Sequence, residues 1–304
     1  MTRKLILLLA LLCAACTAKP SQRPDAHPGA NTGAAPAAAV AKGVVDAEGG
    51  LIGVRVPREG VVTRLMAEVG DHGAAGQPLA ALDARQASLA MAAATAELAD
   101  RNAQAQVAAA RAEGAETVDL GIAADTIAAT TEGIRRARDA GADILITTGG
   151  ASVGDHDLVK ASLEAEGVDM TFWRIAMRPG KPMMHGRLGP MRVIGLPGNP
   201  VSSYVCGFLF LVPLIRALSG RANVHHPRET ALLGSDLAAN DQREDYLRAR
   251  LEARADGTLV AMFVNHQDSS LLGNLAAARA LVIRPPFAPA AAAGARCEFL
   301  RLPD

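Results

Sequence analysis

The sequence is poor in aromatic residues: one Trp, two Tyr and six Phe make up 3% of 304 residues. A stacking platform for single-stranded nucleic acid needs more rings than that. Net charge is missing as well, because 31 Lys and Arg balance 31 Asp and Glu. With no general basic field, binding to a phosphate backbone is excluded as the working principle. Cysteine is scarce: Cys13, Cys16, Cys206 and Cys297 are the only four. They form neither a disulfide framework nor a zinc spacing. Cys206 lies in an apolar helix-like stretch and Cys297 in a strand-like one, so both read as core thiols. Hydrophobic residues reach 50%, but runs of alanine over 34–41 and 87–112 supply much of that and add little core volume. The length leaves room for two or three modest domains.

What is present begins with a leader-like N-terminus. Arg3 and Lys4 precede the apolar run Leu5 to Leu12, and the small pair Ala14-Ala15 precedes Cys16. This is the three-part pattern of a secretory signal. The run is eight residues, too short to span a bilayer. A cysteine after small residues resembles a bacterial lipoprotein processing site, which implies lipidation at Cys16. Cys13 departs from that pattern, standing where leucine is commonest. The Cys13/Cys16 pair therefore reads as the end of a leader, not as a redox or metal motif. Residues 17–42, rich in Ala, Pro, Gly and Ser without periodicity, read as a flexible tether. The expectation is that residues 1–42 do not pack on the rest.

Residues 43–83 change character. Short valine-containing stretches punctuated by Gly60, Gly70, Gly73 and Gly76 predict several short strands with tight turns. Residues 84–113 lack proline and carry much Ala, Gln, Arg and Glu, which predicts a helix. Alternation then sets in. ETVDLGI predicts a strand, and 126–140 a helix capped by Asp125 or Thr126. ADILITT predicts an apolar strand ended by Gly149-Gly150, and 157–166 a helix ended by Gly167. FWRIAM, KPMMHGRL and MRVIGL predict further strands. Residues 200–218 predict a helix kinked at Pro213 and closed by Gly220. Strands alternating with helices point to a parallel α/β sheet over 114–224. Beyond His225, DYLRARLEA, TLVAMFV, ALVIRP and CEFLRL predict a small β domain over 225–304.

Two resemblances follow. VRVPREGVVTRLMAEVGDHGAAGQPLAALD resembles the biotinyl/lipoyl-like half-motif of periplasmic adaptor, or membrane-fusion, proteins of efflux systems. Gly60 permits the strand reversal, Gly70-Asp71 and Gly76 make turns, and Leu79 and Leu82 are expected to point inward. No lysine stands where a lipoyl group would be attached, and no returning helix or second half follows.

From Gly114 onward the chain resembles the C-terminal part of molybdopterin molybdenumtransferase. The motifs are GAETVDLGIAAD, ADILITTGGASVGDHDLVK, FWRIAMRPGKPMMHG and VIGLPGNPVSS, in that order. The resemblance implies a three-layer molybdopterin-binding α/β domain and a small C-terminal β-barrel. It implies insertion of molybdate into adenylylated molybdopterin (molybdopterin-AMP), with AMP release, Mg²⁺ and a homodimer. An STGDEL-type strand and loop that the family places earlier is read as absent, which leaves the implied site open on one side. Asp100 and Asn102 fall where the family often has Asp-x-Asn or Ser-Asn. The junction is expected between 95 and 113, and the helix there suits either parent.

The residues argue the same chemistry. Gly149 and Gly150 after an apolar strand allow backbone amides to face an anion, aided by the next helix N-terminus. Ser152 offers a hydroxyl. Asp155 and Asp157 are hard oxygen ligands suited to Mg²⁺ beside phosphates, or else helix caps. Arg178, Pro179, Gly180 and Lys181 form a rigid basic turn able to hold cations over an oxyanion. In Pro197-Gly198-Asn199-Pro200, Asn199 is the expected N-cap and Pro200 the N1 residue, leaving first-turn amides near Ser202 and Ser203 open to an oxyanion. Asp155, Asp157 and Lys181 are the expected catalytic residues. His156 and His185 read as bystanders. Compartment is contradictory, because the leader implies a lipid-anchored periplasmic protein and the enzyme-like half a cytoplasmic one. The rival readings are an adaptor lipoprotein with a passive C-terminal half, and an inactive fusion.

Overall fold

A computed structural model describes residues 6–12, 43–47, 50–54, 61–68, 70–74, 76–149, 158–264, 267 and 272–303, with the first three segments described as backbone. These fall into two compact units. The smaller holds strands β2 (Gly43–Ala47), β3 (Gly50–Val54), β4 (Val62–Leu65) and β5 (Ala80–Leu82). They form two antiparallel pairs, β2 with β3 and β4 with β5. Two of the expected turns are there, at Gly70 and Gly76, while Gly60 lies outside the described residues. Gly70 and Gly76 adopt φ of +101° and +84°, and the Glu68 amide donates to the Asp71 carboxylate at 2.8 Å. Leu79 and Leu82 are half-buried.

The larger unit contains residues 94–303 together with β1 (Ile6–Leu12). Its first sheet has six strands in the order β6-β1-β7-β11-β10-β8. Here β6 is Glu116–Ala123, β7 Ile144–Thr148, β8 Asp169–Phe172, β10 Met184–Leu188 and β11 Met191–Leu196. The leader-like run therefore does not stand apart. Leu7, Leu8 and Leu9 pair in parallel with Ile144, Leu145 and Ile146 on one side. On the other side they pair with Thr117, Val118 and Asp119. The correction has a simple cause. A short continuous apolar run satisfies equally the core of a leader and a strand buried in the middle of a parallel sheet.

The sheet is also not wholly parallel. β10 runs antiparallel to both β11 and β8. Only Gly189 and Pro190 separate β10 from β11, and a two-residue link permits no crossover. FWRIAM is not one strand either: β8 ends at Phe172, and Met177–Arg178 forms a separate strand, β9.

Side-chain alternation on β7 and β11 makes three layers. Ile144, Ile146, Ile194 and Leu196 face the helices α1 (Arg85–Ala112), α4 (Pro200–Cys206) and α5 (Val212–Leu218). Leu145 and Val193 face α2 (Ile127–Asp139) and α3 (Leu158–Ala165). All of Ile144, Leu145 and Ile146 are fully buried, each worth about 1.5–3 kcal/mol. Thr126 is the α2 cap, its hydroxyl accepting from the Ala129 amide at 3.2 Å. Between α4 and α5 lies a π-helical turn, Gly207–Leu211. It precedes Pro213, which has no amide to bond the preceding turn. The expected disturbance at Pro213 thus takes the form of a π turn. Pro200–Leu218 is long and apolar enough to cross a membrane, but most of it is buried here as a core helix.

The second sheet is the expected barrel. β12 (Arg228–Leu233), β13 (Glu244–Ala253), β14 (Leu259–Phe263), β15 (Ala280–Arg284) and β16 (Arg296–Arg301) close in the ring β13-β14-β12-β16-β15. Ala231, Leu233, Val282 and Phe299 fill it. A short helix, α6 (Leu272–Ala277), precedes β15. The domain boundary near 225 is crossed by β9, which pairs in parallel with Glu244 and Asp245 of β13.

Candidate functional site

The carboxyl ends of β7 and β11 point to one rim, where ligand loops of open α/β sheets gather. Gly149 follows β7 with φ +83°, a conformation that favours glycine. Its amide donates to the Leu196 carbonyl at 3.2 Å. Gly198 also comes close from the β11 side: a Cβ there would lie 3.3 Å from the Gly149 Cα. The two turns are thus nearly in van der Waals contact through backbone. Register carries the basic turn to the same rim. Met184 pairs with Gly195, and Gly195 with Thr147, so the residues just before Met184 lie beyond the same strand ends.

The turn itself is tightly held. Pro179 and Gly180 are buried, and the Arg178–Pro179 bond is cis. Gly180 has φ +115°, and a Cβ would stand 2.5 Å from the Cys206 Sγ. Glycine is required there twice over, by dihedral and by space. Burial pushes the Cys206 thiol up to about 12, which fits the expected inert core thiol. Lys181 is exposed, and no ion pair holds it among the described residues. Arg178 is placed differently from expectation. Its Nε donates to the Asp245 Oδ1 at 2.9 Å, and its Nη2 to the Asp245 Oδ2. Asp241 lies 3.7 Å from its Nη1. The fork that a free oxyanion would take is occupied by the barrel, so Arg178 fastens the basic turn to β13.

The GNP turn also differs in one respect. Asn199 caps α4 as expected, with Pro200 following. But its Oδ1 accepts from the Ser202 amide at 3.0 Å, and its carbonyl from the Ser203 amide at 2.8 Å. Those two amides are spent on the cap and are not open to an oxyanion. Ser202 is 6% exposed, Pro197 is buried, and Gly198 is exposed. Gly150, Ser152, Asp155, His156 and Asp157 lie outside the described residues, as does Cys16. His185 on β10 stacks on Phe172 with centroids 5.7 Å apart. Burial, helped by Arg192 and Arg187, lowers its proton affinity.

Side chains of α1 support this rim. The Asn102 Nδ2 donates to the Gly198 carbonyl at 3.1 Å, and the Gln106 Nε2 to the Ser203 carbonyl at 3.2 Å. Both are nearly buried. The sequence offered two signals: the Asp-x-Asn pattern at Asp100 and Asn102, and a pair of amides four apart on an otherwise alanine-rich helix. Beneath the rim, the Thr147 and Thr148 hydroxyls are buried with no hydrogen-bond partner among the described residues. No group of three His, Cys, Asp or Glu among the described residues suits a metal ion.

Comparison with known proteins fits this geometry. Residues 69–217 match the family described as "Probable molybdopterin binding domain". Residues 230–302 match the family described as "MoeA C-terminal region (domain IV)". The first match begins inside the segment expected to be lipoyl-like and takes in Gly70-Asp71, N-terminal to the junction expected at 95–113. A molybdopterin molybdenumtransferase of Haemophilus influenzae is 36% identical over 157 residues, covering 51% of this chain and 38% of its own length. One from a Nostoc species is 33% identical over 213 residues, covering 68% of this chain and 48% of its own. The chain thus spans less than half the length of these relatives. The crystal structure of a molybdopterin biosynthesis MoeA protein from Pyrococcus horikosii shares the fold at 17% identity and a TM-score of 0.53, covering 98% of this chain and 54% of that one. Together the two matches run in order along residues 69–302, the molybdopterin-binding model first and the MoeA C-terminal model second.

Proposed function

We propose that the rim between β7, β11 and the basic turn binds adenylylated molybdopterin and supports insertion of molybdate with release of AMP. The observation that carries this reading is the near-contact of Gly149 and Gly198, 3.3 Å from a notional Cβ to Cα. It builds a backbone-walled edge with no side chain in the way, which suits a phosphate-bearing ligand approached by main chain. Lys181 supplies an exposed cation beside that edge, on a turn that Pro179, Gly180 and the Arg178–Asp245 pair hold still. Catalysis on this reading is positioning and electrostatics, with no covalent nucleophile. Asp155 and Asp157 keep their proposed role as oxygen ligands to Mg²⁺, which would offset phosphate charge.

The test is molybdate-dependent AMP release from adenylylated molybdopterin by the full chain. Lys181→Ala and Asp155→Ala are each expected to lower the rate by at least about tenfold, the scale of losing one charged contact to a developing anion. Release that neither substitution lowers overturns the site.

A further inference from the structure

We propose that Ile6–Leu12 is the strand that completes the sheet beneath the rim, so that the folded site belongs to the chain that keeps its N-terminus. β7 bonds β11 on one edge and β1 on the other, with Ala10 and Leu11 opposite Thr147 and Thr148 at the rim. Among the described residues β6 pairs with β1 alone, over Ile6 to Leu12.

β7 is buried on both faces from Ile144 to Thr148, so water cannot replace a lost strand neighbour. Buried backbone amides and carbonyls left unpaired are costly. Strands in a sheet lie about 4.8 Å apart, so β6 sits roughly two spacings, about 10 Å, from β7. Removing β1 leaves a slot one strand wide beside the strand that ends at Gly149. The same residues carry the export pattern, and cleavage before Cys16 hydrolyses the Ala15–Cys16 peptide bond and removes the whole of Ile6–Leu12. Processing and a complete sheet are therefore mutually exclusive. The unprocessed chain carries the rim, and the processed one lacks the support on which Gly149 stands.

Hydrogen exchange on the full chain tests this, using Cys16→Ser so that no lipid is attached at that sulfur. Amides of residues 7–12 are expected to exchange at least about 100-fold more slowly than in an isolated peptide of that sequence. Exchange at the peptide rate overturns the proposal directly. A chain lacking residues 1–15 is expected to lose protection at 116–123 and 144–148 by a comparable factor, while 228–233 and 296–301 in the barrel keep theirs. Unchanged protection at 144–148 means that β6 has closed on β7, which also overturns it. If the shortened chain does not fold, Leu8→Pro in the full chain reads the same point, because proline removes a ladder donor. Selective loss at 116–123 and 144–148 supports the proposal, and no change at either refutes it. None of these readouts involves molybdopterin, so they separate this proposal from the reaction.

Discussion

At the residue scale the rim is made by positions that do little by themselves. Asn102 shows this. It is 8% exposed and holds one backbone carbonyl, that of Gly198. Replacing it with alanine leaves that carbonyl's partner missing and a small void. Asn102→Ala is expected to cost about 1–2 kcal/mol of stability, read by urea unfolding. It is expected to weaken ligand binding by more than stability alone explains, because the loop it holds is the near-contact itself. Gly180→Ala is expected to be more damaging, since the left-handed dihedral and the Cys206 sulfur both oppose a side chain. A loss of roughly 2–4 kcal/mol follows from strain plus overpacking, and thermal unfolding measures it.

Elements explain how much of this was legible from sequence. α2, β7 and α4 announced themselves, through Thr126, the run Ile144 to Thr148 and the Asn199-Pro200 cap. Each carries a local cause that needs no tertiary partner. The antiparallel β10 was legible in principle from the Gly189-Pro190 link, but an alternating pattern elsewhere suggested a uniformly parallel sheet. The occupation of Arg178 by Asp245 was not legible, because it joins residues 67 apart. The cap's use of the Ser202 and Ser203 amides follows from Asn199 itself, and the expectation of free amides overlooked it. The packing of Ile6–Leu12 into the sheet was not legible for a physical reason: apolar continuity does not distinguish a leader core from a central strand.

The α1–α5 junction is an element-scale prediction. Glu113, just past α1, accepts from the Arg216 Nε at 3.0 Å and Nη2 at 2.6 Å, and from the Arg221 Nη1 at 2.6 Å. The Arg216 hydrogen bonds hold its carboxyl below the usual range, against burial that raises it. Its stabilisation is therefore complete above the ordinary carboxylate pKa of about 4.3 and is lost as pH falls through the depressed folded value. Glu113→Gln is expected to cost about 1–3 kcal/mol at neutral pH. The gap to the unsubstituted chain is expected to narrow as pH falls towards about 3, measured by urea unfolding across that range.

At the scale of the whole molecule, the α/β layer and the barrel share one core: Leu281, Ile283 and Leu300 pack with Ile144 and Ile194. The barrel also holds the basic turn through β9 and the Arg178–Asp245 pair. Asp245 is 4% exposed, whereas the Arg178 side chain is 47% exposed. Asp245→Asn is thus expected to cost only about 1 kcal/mol of stability, since the arginine retains water. Its larger effect is expected on the rate of AMP release, because the turn carrying Lys181 loses its anchor. Release and unfolding measured on one preparation separate the two.

The central claim is that the Gly149–Gly198 edge is where the molybdopterin nucleotide sits, and calorimetric titration of adenylylated molybdopterin tests it most directly. Gly198→Ala places a methyl 3.3 Å from the Gly149 Cα. The account expects the full chain to bind, and this variant to bind at least about tenfold more weakly, a loss of about 1.4 kcal/mol, with its unfolding midpoint little changed. Equal affinity in the two chains, or no binding by the unsubstituted one, would contradict it.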